Sequence, residues 1–177
     1  MEELIKDWGY IILFLYSFGG GFLALAIAGV LSYSGDLNIY VSLIVAGSAN
    51  FIGDQFLFFV ARNNRIYAKQ MMGKHQRKIA LAHLMMRKYG SIVVFLQKYI
   101  YGIKTLIPLA MGLTKYDAKK FTFYNILATI IWTLLVGIIS YSLGELVYTY
   151  IDELKSYGIA FVVALILIFT LIYLRGK

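Results

Sequence analysis

The sequence predicts an all-α membrane protein: two re-entrant helical hairpins arranged as an inverted repeat, about three full transmembrane helices, and a basic amphipathic surface segment. Three observations carry this reading. The 177 residues are 60% hydrophobic and 15% charged, with a mean hydropathy of +0.74, whereas soluble domains run at about 45–50% apolar and about 25% charged. A chain of this length has no interior large enough for so much apolar surface, so lipid must cover the excess. The apolar residues fall into four zones, two of them interrupted in the middle, and the positive charge gathers between and after those zones.

Taken in order, the first zone spans 8–34 and is broken by Gly19-Gly20-Gly21. Each glycine costs about 1 kcal/mol in a helix interior, so two half-helices forming a hairpin are expected. The stretch 39–61 reads as a full span, since a spanning helix needs about 20 mostly apolar residues. Segment 62–90 is basic and rich in methionine. It is expected on the cytoplasmic surface, with Ile79, Leu81, Leu84 and Met85 toward lipid and its basic residues toward anionic headgroups. Zone 91–113 holds Lys98, Gly102, Lys104 and the single proline, Pro108, and is expected to be a second re-entrant hairpin. The last zone divides at Asp152-Glu153-Leu154-Lys155 into spans at 121–147 and 157–174. Together, 1–177 makes one membrane domain with no room for a separate soluble module.

Charge sets the expected orientation. Of the 17 lysines and arginines, thirteen lie in 62–90, 114–120 and the C-terminal tail. Lys6 and Lys155 lie on the opposite side of a re-entrant arrangement, each beside acidic residues, and Lys98 and Lys104 lie within the third zone. By the positive-inside rule the basic side is cytoplasmic, with the N-terminus outside and the C-terminus inside. Full spans in both broken zones would leave the count level, so the bias fits a re-entrant pair and does not select it alone. A repeat points the same way. A shift of 83 residues places Gly19 on Gly102, Gly29 on Gly112 and Tyr33 on Tyr116. A hairpin plus one span crosses the membrane once, so a second copy is inverted, an architecture found in transporters.

Several function classes are excluded. With no cysteine, disulfides, thiolate metal sites and a cysteine nucleophile are ruled out. His75 and His83 sit in the basic segment with no metal or hydrolase arrangement around them, so no metal, no cofactor and no enzymic activity are expected. The net charge of +8 reads as topology because no nucleic-acid motif accompanies it. The acidic start, Met1-Glu2-Glu3, does not resemble a cleavable signal.

Ionisable residues at membrane depth suggest function by default. Asp54, in Gly53-Asp54-Gln55, lies well inside the second span, either satisfied by a bundle partner or serving proton or ion coupling. Lys98 and Lys104 would stand about 120° apart on an unbroken helix. A break at Gly102 would let both lean toward one point beside free backbone N–H groups, which favours an anion such as a lipid phosphate; the alternative is two lysines snorkelling to the surface. Arg62, Asp36 and Pro108 are candidate supports. The residues therefore point to a transporter of an anionic lipid or of an ion.

The sequence resembles the DedA family of bacterial membrane proteins (SNARE-associated, or VTT-domain, proteins) over roughly 9–145. Gly53-Asp54-Gln55-Phe56-Leu57-Phe58-Phe59-Val60-Ala61-Arg62 is similar to the family's G-D-x-x-x-Y-x-x-G-R. Lys98-Tyr99-Ile100-Tyr101-Gly102-Ile103-Lys104-Thr105, with Pro108 and Gly112, is similar to R-F-x-P-G-x-R-T and its trailing A-G. Phe121, Asn125 and Trp132 follow the family's F…N…W. Lysines replace both signature arginines, Tyr101 replaces the signature proline, and the glutamate of the family's first hairpin has no counterpart around Gly19–Gly21. The resemblance implies translocation of undecaprenyl phosphate or phospholipid across the bacterial inner membrane, with possible proton coupling. An ion or small-solute transporter or channel supporting membrane homeostasis is the other reading. The sequence sets no oligomeric state.

Overall fold

A computed structural model describes residues 2–66, 70, 76–100 and 103–175, with side chains for 8–66, 70, 80–100 and 103–150. Every regular element in it is helical: α1 (Glu2–Gly19), α2 (Phe22–Tyr33), α3 (Ile39–Asn63), α4 (Gln76–Tyr89), α5 (Val93–Leu96), α6 (Leu106–Leu113) and α7 (Ala118–Arg175), with 3-10 turns at Gly90–Ile92 and Gln97–Tyr99.

The break between α1 and α2 is built from glycine. Gly20 holds φ at +137°, where an L side chain is strained, and a Cβ on Gly21 would collide with the backbone of Ser17. The amides of Gly20 and Gly21 donate back to the carbonyls of Ser17 and Tyr16, closing α1 as α2 begins. The chain then returns beside its start, where the Asn38 amide donates to the Tyr10 hydroxyl at 2.8 Å. Asn38 also caps α3, its Oδ1 accepting from the amides of Tyr40 and Val41, the satisfaction that an N-cap provides. The second broken zone repeats the plan. Ser91 Oγ and the Tyr116 hydroxyl lie 2.5 Å apart, so its two ends also meet. Pro108 falls in the first turn of α6, where its missing N–H costs no helical bond.

α3 packs against both broken zones through glycine. A Cβ on Gly53 would strike the Phe18 carbonyl of α1, and one on Gly112 of α6 would strike the Phe58 carbonyl of α3. Gly29 of α2 meets Ser140 and the Gly137 carbonyl of α7 in the same way. Thus the second arm of the first zone lies on α7, while the second arm of the second zone lies on α3. Two interiors result. One gathers Phe58, Ile107, Met111 and Phe121, with Phe58 and Phe121 stacked at 4.2 Å. The other gathers Leu13, Leu25, Leu37 and Trp132. The outer faces stay apolar: Leu15, Leu23, Ile44, Ile130 and Ile138 are all exposed. Among the described residues, Ile39–Asn63 and Ala118–Tyr150 are long and apolar enough to cross a membrane.

Two sequence expectations change. The backbone stays helical from Ala118 through Arg175, so the turn expected at 152–155 between spans 121–147 and 157–174 does not form. Glu, Leu and Lys are good helix formers, and charge alone does not break a helix. In the basic segment, Leu81 and Leu84 are exposed as expected, but Met85 is buried with Ala82 in the Phe58 interior. One face of α4 docks on the protein because Ala82, Met85 and Met86 recur at helical spacing. The Gly102 break lies outside the described residues, as do His75 and the side chain of Ile79.

Candidate functional site

Asn50 and Asp54 stand one turn apart on α3, on the face turned inward, and both are buried. Into that face reaches Lys98, from the 3-10 turn that ends the first arm of the second broken zone. Its Nζ donates to Asn50 Oδ1 at 2.7 Å, to Asp54 Oδ2 at 2.8 Å and to Asn125 Oδ1 of α7 at 3.0 Å. An ammonium has three donors, and all three are used. Gln97 Nε2 makes a long 3.5 Å contact to the same Asp54 oxygen, and Asn125 Nδ2 donates to the Phe51 carbonyl. Asp54 and Lys98 form the one ion pair among the described side chains, both almost fully enclosed. Breaking such a pair by removing one partner costs about 3–5 kcal/mol, since the other charge is left buried alone.

Lys104 differs. It lies just before α6, and its Nζ is buried without a hydrogen-bond partner among the described residues, 5.5 Å from the ring centroid of Trp132. A Cβ on Gly20 would lie 3.5 Å from Lys104 Cδ and 3.7 Å from Nζ, so the tip of the first broken zone rests against the second. The Trp132 Nε1 and Ser17 Oγ are also buried without partners among the described residues. Asp54 and Lys98 are the charged neighbours whose fields reach Lys104. Because those two cancel, Lys104 brings the uncompensated positive charge of the cluster.

The structure thus joins Asp54, Lys98 and Lys104, and sets the other predicted supports apart in structural roles. Arg62 donates through Nε to the Gly112 carbonyl at 3.0 Å and through its terminal NH2 to the Tyr116 carbonyl at 2.5 Å. With its guanidinium over Phe58, it closes the C-terminal end of α6. Asp36 accepts from Ser34 Oγ in the α2–α3 turn, at the end of the first zone remote from its tip. Pro108 is buried in α6. Gly102 lies outside the described residues. The sequence reading missed Asn50, Gln97 and the orphaned hydroxyls of Thr129 and Thr133 as site groups. For the threonines the available signal was amide and hydroxyl residues recurring every fourth position, as in Asn125–Thr129–Thr133. No group of His, Asp or Glu able to hold a metal occurs among the described residues.

Comparison with known proteins identifies the family of the chain. The VTT-domain family matches residues 8–142, which include most of α1, the residues of the site and the first part of α7. The inner membrane protein YohD of Escherichia coli K12 is 26% identical over 157 residues, covering 89% of this chain and 82% of YohD. Undecaprenyl phosphate transporter A of Staphylococcus aureus is 27% identical over 149 residues, covering 75% of this chain and 72% of its own. The inner membrane protein YqjA of Escherichia coli K12 is 30% identical over 84 residues, 46% of this chain and 36% of YqjA. No solved structure matches. With a family match over most of its length, and a charged cluster in its interior built from the matched residues, the chain is a membrane protein of the VTT-domain (DedA) family.

Proposed function

We propose that the protein carries an anionic lipid, undecaprenyl phosphate or a phospholipid, across a bacterial inner membrane. The two broken zones act as re-entrant hairpins meeting inside the bilayer, each with its mouth on the side from which it entered. One observation carries the reading: among the described residues, Lys104 Nζ is buried and unpartnered where the two hairpins touch. A buried ammonium without an acceptor is costly, and a phosphate oxygen would accept from it and from the neighbouring Trp132 N–H together. The exchange of packing partners, α2 on α7 and α6 on α3, supports an inverted repeat. The name of the Staphylococcus relative supports the lipid class. Lys98 then holds the site in shape, and Asp54 is the carboxylate through which a proton gradient would couple. The N-terminus is assigned outside and the basic segment 62–90 to the cytoplasm, while the unbroken α7 removes the return crossing on which a cytoplasmic C-terminus depended.

The test is reconstitution of the purified protein into liposomes, comparing fluorescent undecaprenyl phosphate, phosphatidylethanolamine and phosphatidylglycerol. Translocation of an anionic lipid that Lys104→Ala abolishes, with normal membrane insertion, is the expected result. Ion flux with no lipid movement would replace this reading with an ion or small-solute transporter.

A further inference from the structure

Ser17 stands in the last turn of α1, just before the helix ends at Gly19. Its side chain is fully enclosed, and among the described residues its hydroxyl has no partner. A serine or threonine hydroxyl in an apolar helix ordinarily donates to the carbonyl four residues back. Ser32, Thr122 and Thr149 do so, to Ala28, Ala118 and Glu145. Ser17 turns its hydroxyl to the break instead. Its Oγ lies 2.7 Å from where a Cβ on Gly21 would stand, and Lys104 Nζ lies 3.7 Å from the corresponding point on Gly20. Those glycines are adjacent in the chain, so the hydroxyl and the ammonium approach one turn from the two broken zones. Trp132 completes the group, its ring centroid 5.5 Å from Lys104 Nζ and its N–H unpartnered among the described residues. All three side chains can donate. The carboxylate closest to this group in the cluster, Asp54, is already held by Lys98.

We propose that Ser17 binds the lipid phosphate, giving the site with Lys104 and Trp132 three donor groups that match the three terminal oxygens of a phosphate monoester. This rests on the lipid-transport reading and adds a residue from the first broken zone and a headgroup class. A monoester offers three such oxygens and up to about two negative charges. A diester offers one oxygen and one charge fewer, and brings a second substituent into a place where none of the donor atoms is exposed. An ammonium-bearing headgroup suits the site least, because its uncompensated charge is positive and Asp54 is taken. Burial sharpens the choice, since a buried donor left without an acceptor is destabilising in full.

Farnesyl phosphate and its methyl ester share one chain and differ in one terminal oxygen and its charge. Their binding to the detergent-solubilised protein is measured by calorimetry, beside the melting temperature of the free protein. The native protein is expected to bind the phosphate at least about tenfold more tightly than the ester. Ser17→Ala should lose about tenfold toward the phosphate and change little toward the ester. Without ligand it should melt no lower than the native protein, because an unpaired buried hydroxyl has been removed. A serine with a structural role alone would lower the melting temperature and leave the preference intact. The inference is overturned if Ser17→Ala keeps the native preference, or if the native protein shows no preference. Loss of both probes in Lys104→Ala, with native binding in Ser17→Ala, would leave the lipid site standing and remove Ser17 from it. A native protein that binds neither probe would overturn both readings.

Discussion

Lys98 spends its three donors on three oxygens from two helices, a match that suits a compact ammonium and not a planar guanidinium. Lys98→Arg should therefore lower thermal stability in detergent and reduce translocation, although it restores the family's residue. Lys98→Ala should destabilise by about 3–5 kcal/mol, and Lys98→Ala/Asp54→Ala should recover much of that stability without recovering transport. Thermal unfolding of the native protein, Lys98→Ala, Asp54→Ala and the double variant measures the cycle. Lys104→Arg should behave in the opposite way and keep or raise transport, because Lys104 Nζ has no partner to lose and a guanidinium grips phosphate with two bonds. The sequence treats the lysines as an equivalent pair; geometry separates them into a structural tie and an open cation. Asp54, Lys98 and Lys104 are legible beforehand because charge at membrane depth is rare. Asn50 and Gln97 are not, because uncharged amides scarcely disturb an apolar pattern and the chain gives no sign that position 98 returns to position 50.

At the scale of elements, close approach through glycine is the recurring device. Gly112→Ala puts a methyl against the Phe58 carbonyl and Ala61, and should cost about 1–3 kcal/mol by overpacking, read as a lowered melting temperature with the apolar character of the helix unchanged. Arg62→Ala should lower it as well by freeing the carbonyls of Gly112 and Tyr116 at the end of α6, and Arg62→Lys should recover only part, since one ammonium cannot copy the fork. Helix limits were partly readable. The stretch expected at 39–61 is observed as the helix Ile39–Asn63, its apolar run having marked it, and the glycine triplet marks the first break. The unbroken α7 was not readable from hydropathy, which registers the charges at 152–155 but not the local hydrogen bonds that carry a helix through them. The docking of Met85 was equally hidden, since lipid and protein interiors both accept methionine.

For the whole molecule, composition declares the membrane at once, while the pairing of faces emerges only in three dimensions. The eleven lysines and arginines of 62–90 and 114–120 predict that single cysteines near Tyr116 and in the 62–90 segment are labelled only from the cytoplasmic side in inside-out and right-side-out vesicles. Labelling at Tyr116 only from the outside would refute the re-entrant arrangement, and the native chain has no cysteine to obscure the result. The clamp around Lys98 also bears on synthesis. Asn50 and Asp54 leave the ribosome before Lys98, but Asn125 leaves after it, so the ammonium lacks its full set of acceptors until α7 begins to emerge. The second broken zone should therefore wait at the membrane surface and sink only when α7 arrives, a late step imposed by one side chain. Nascent chains ending near residue 117 should release that zone to alkaline extraction, and chains extended through residue 150 should retain it.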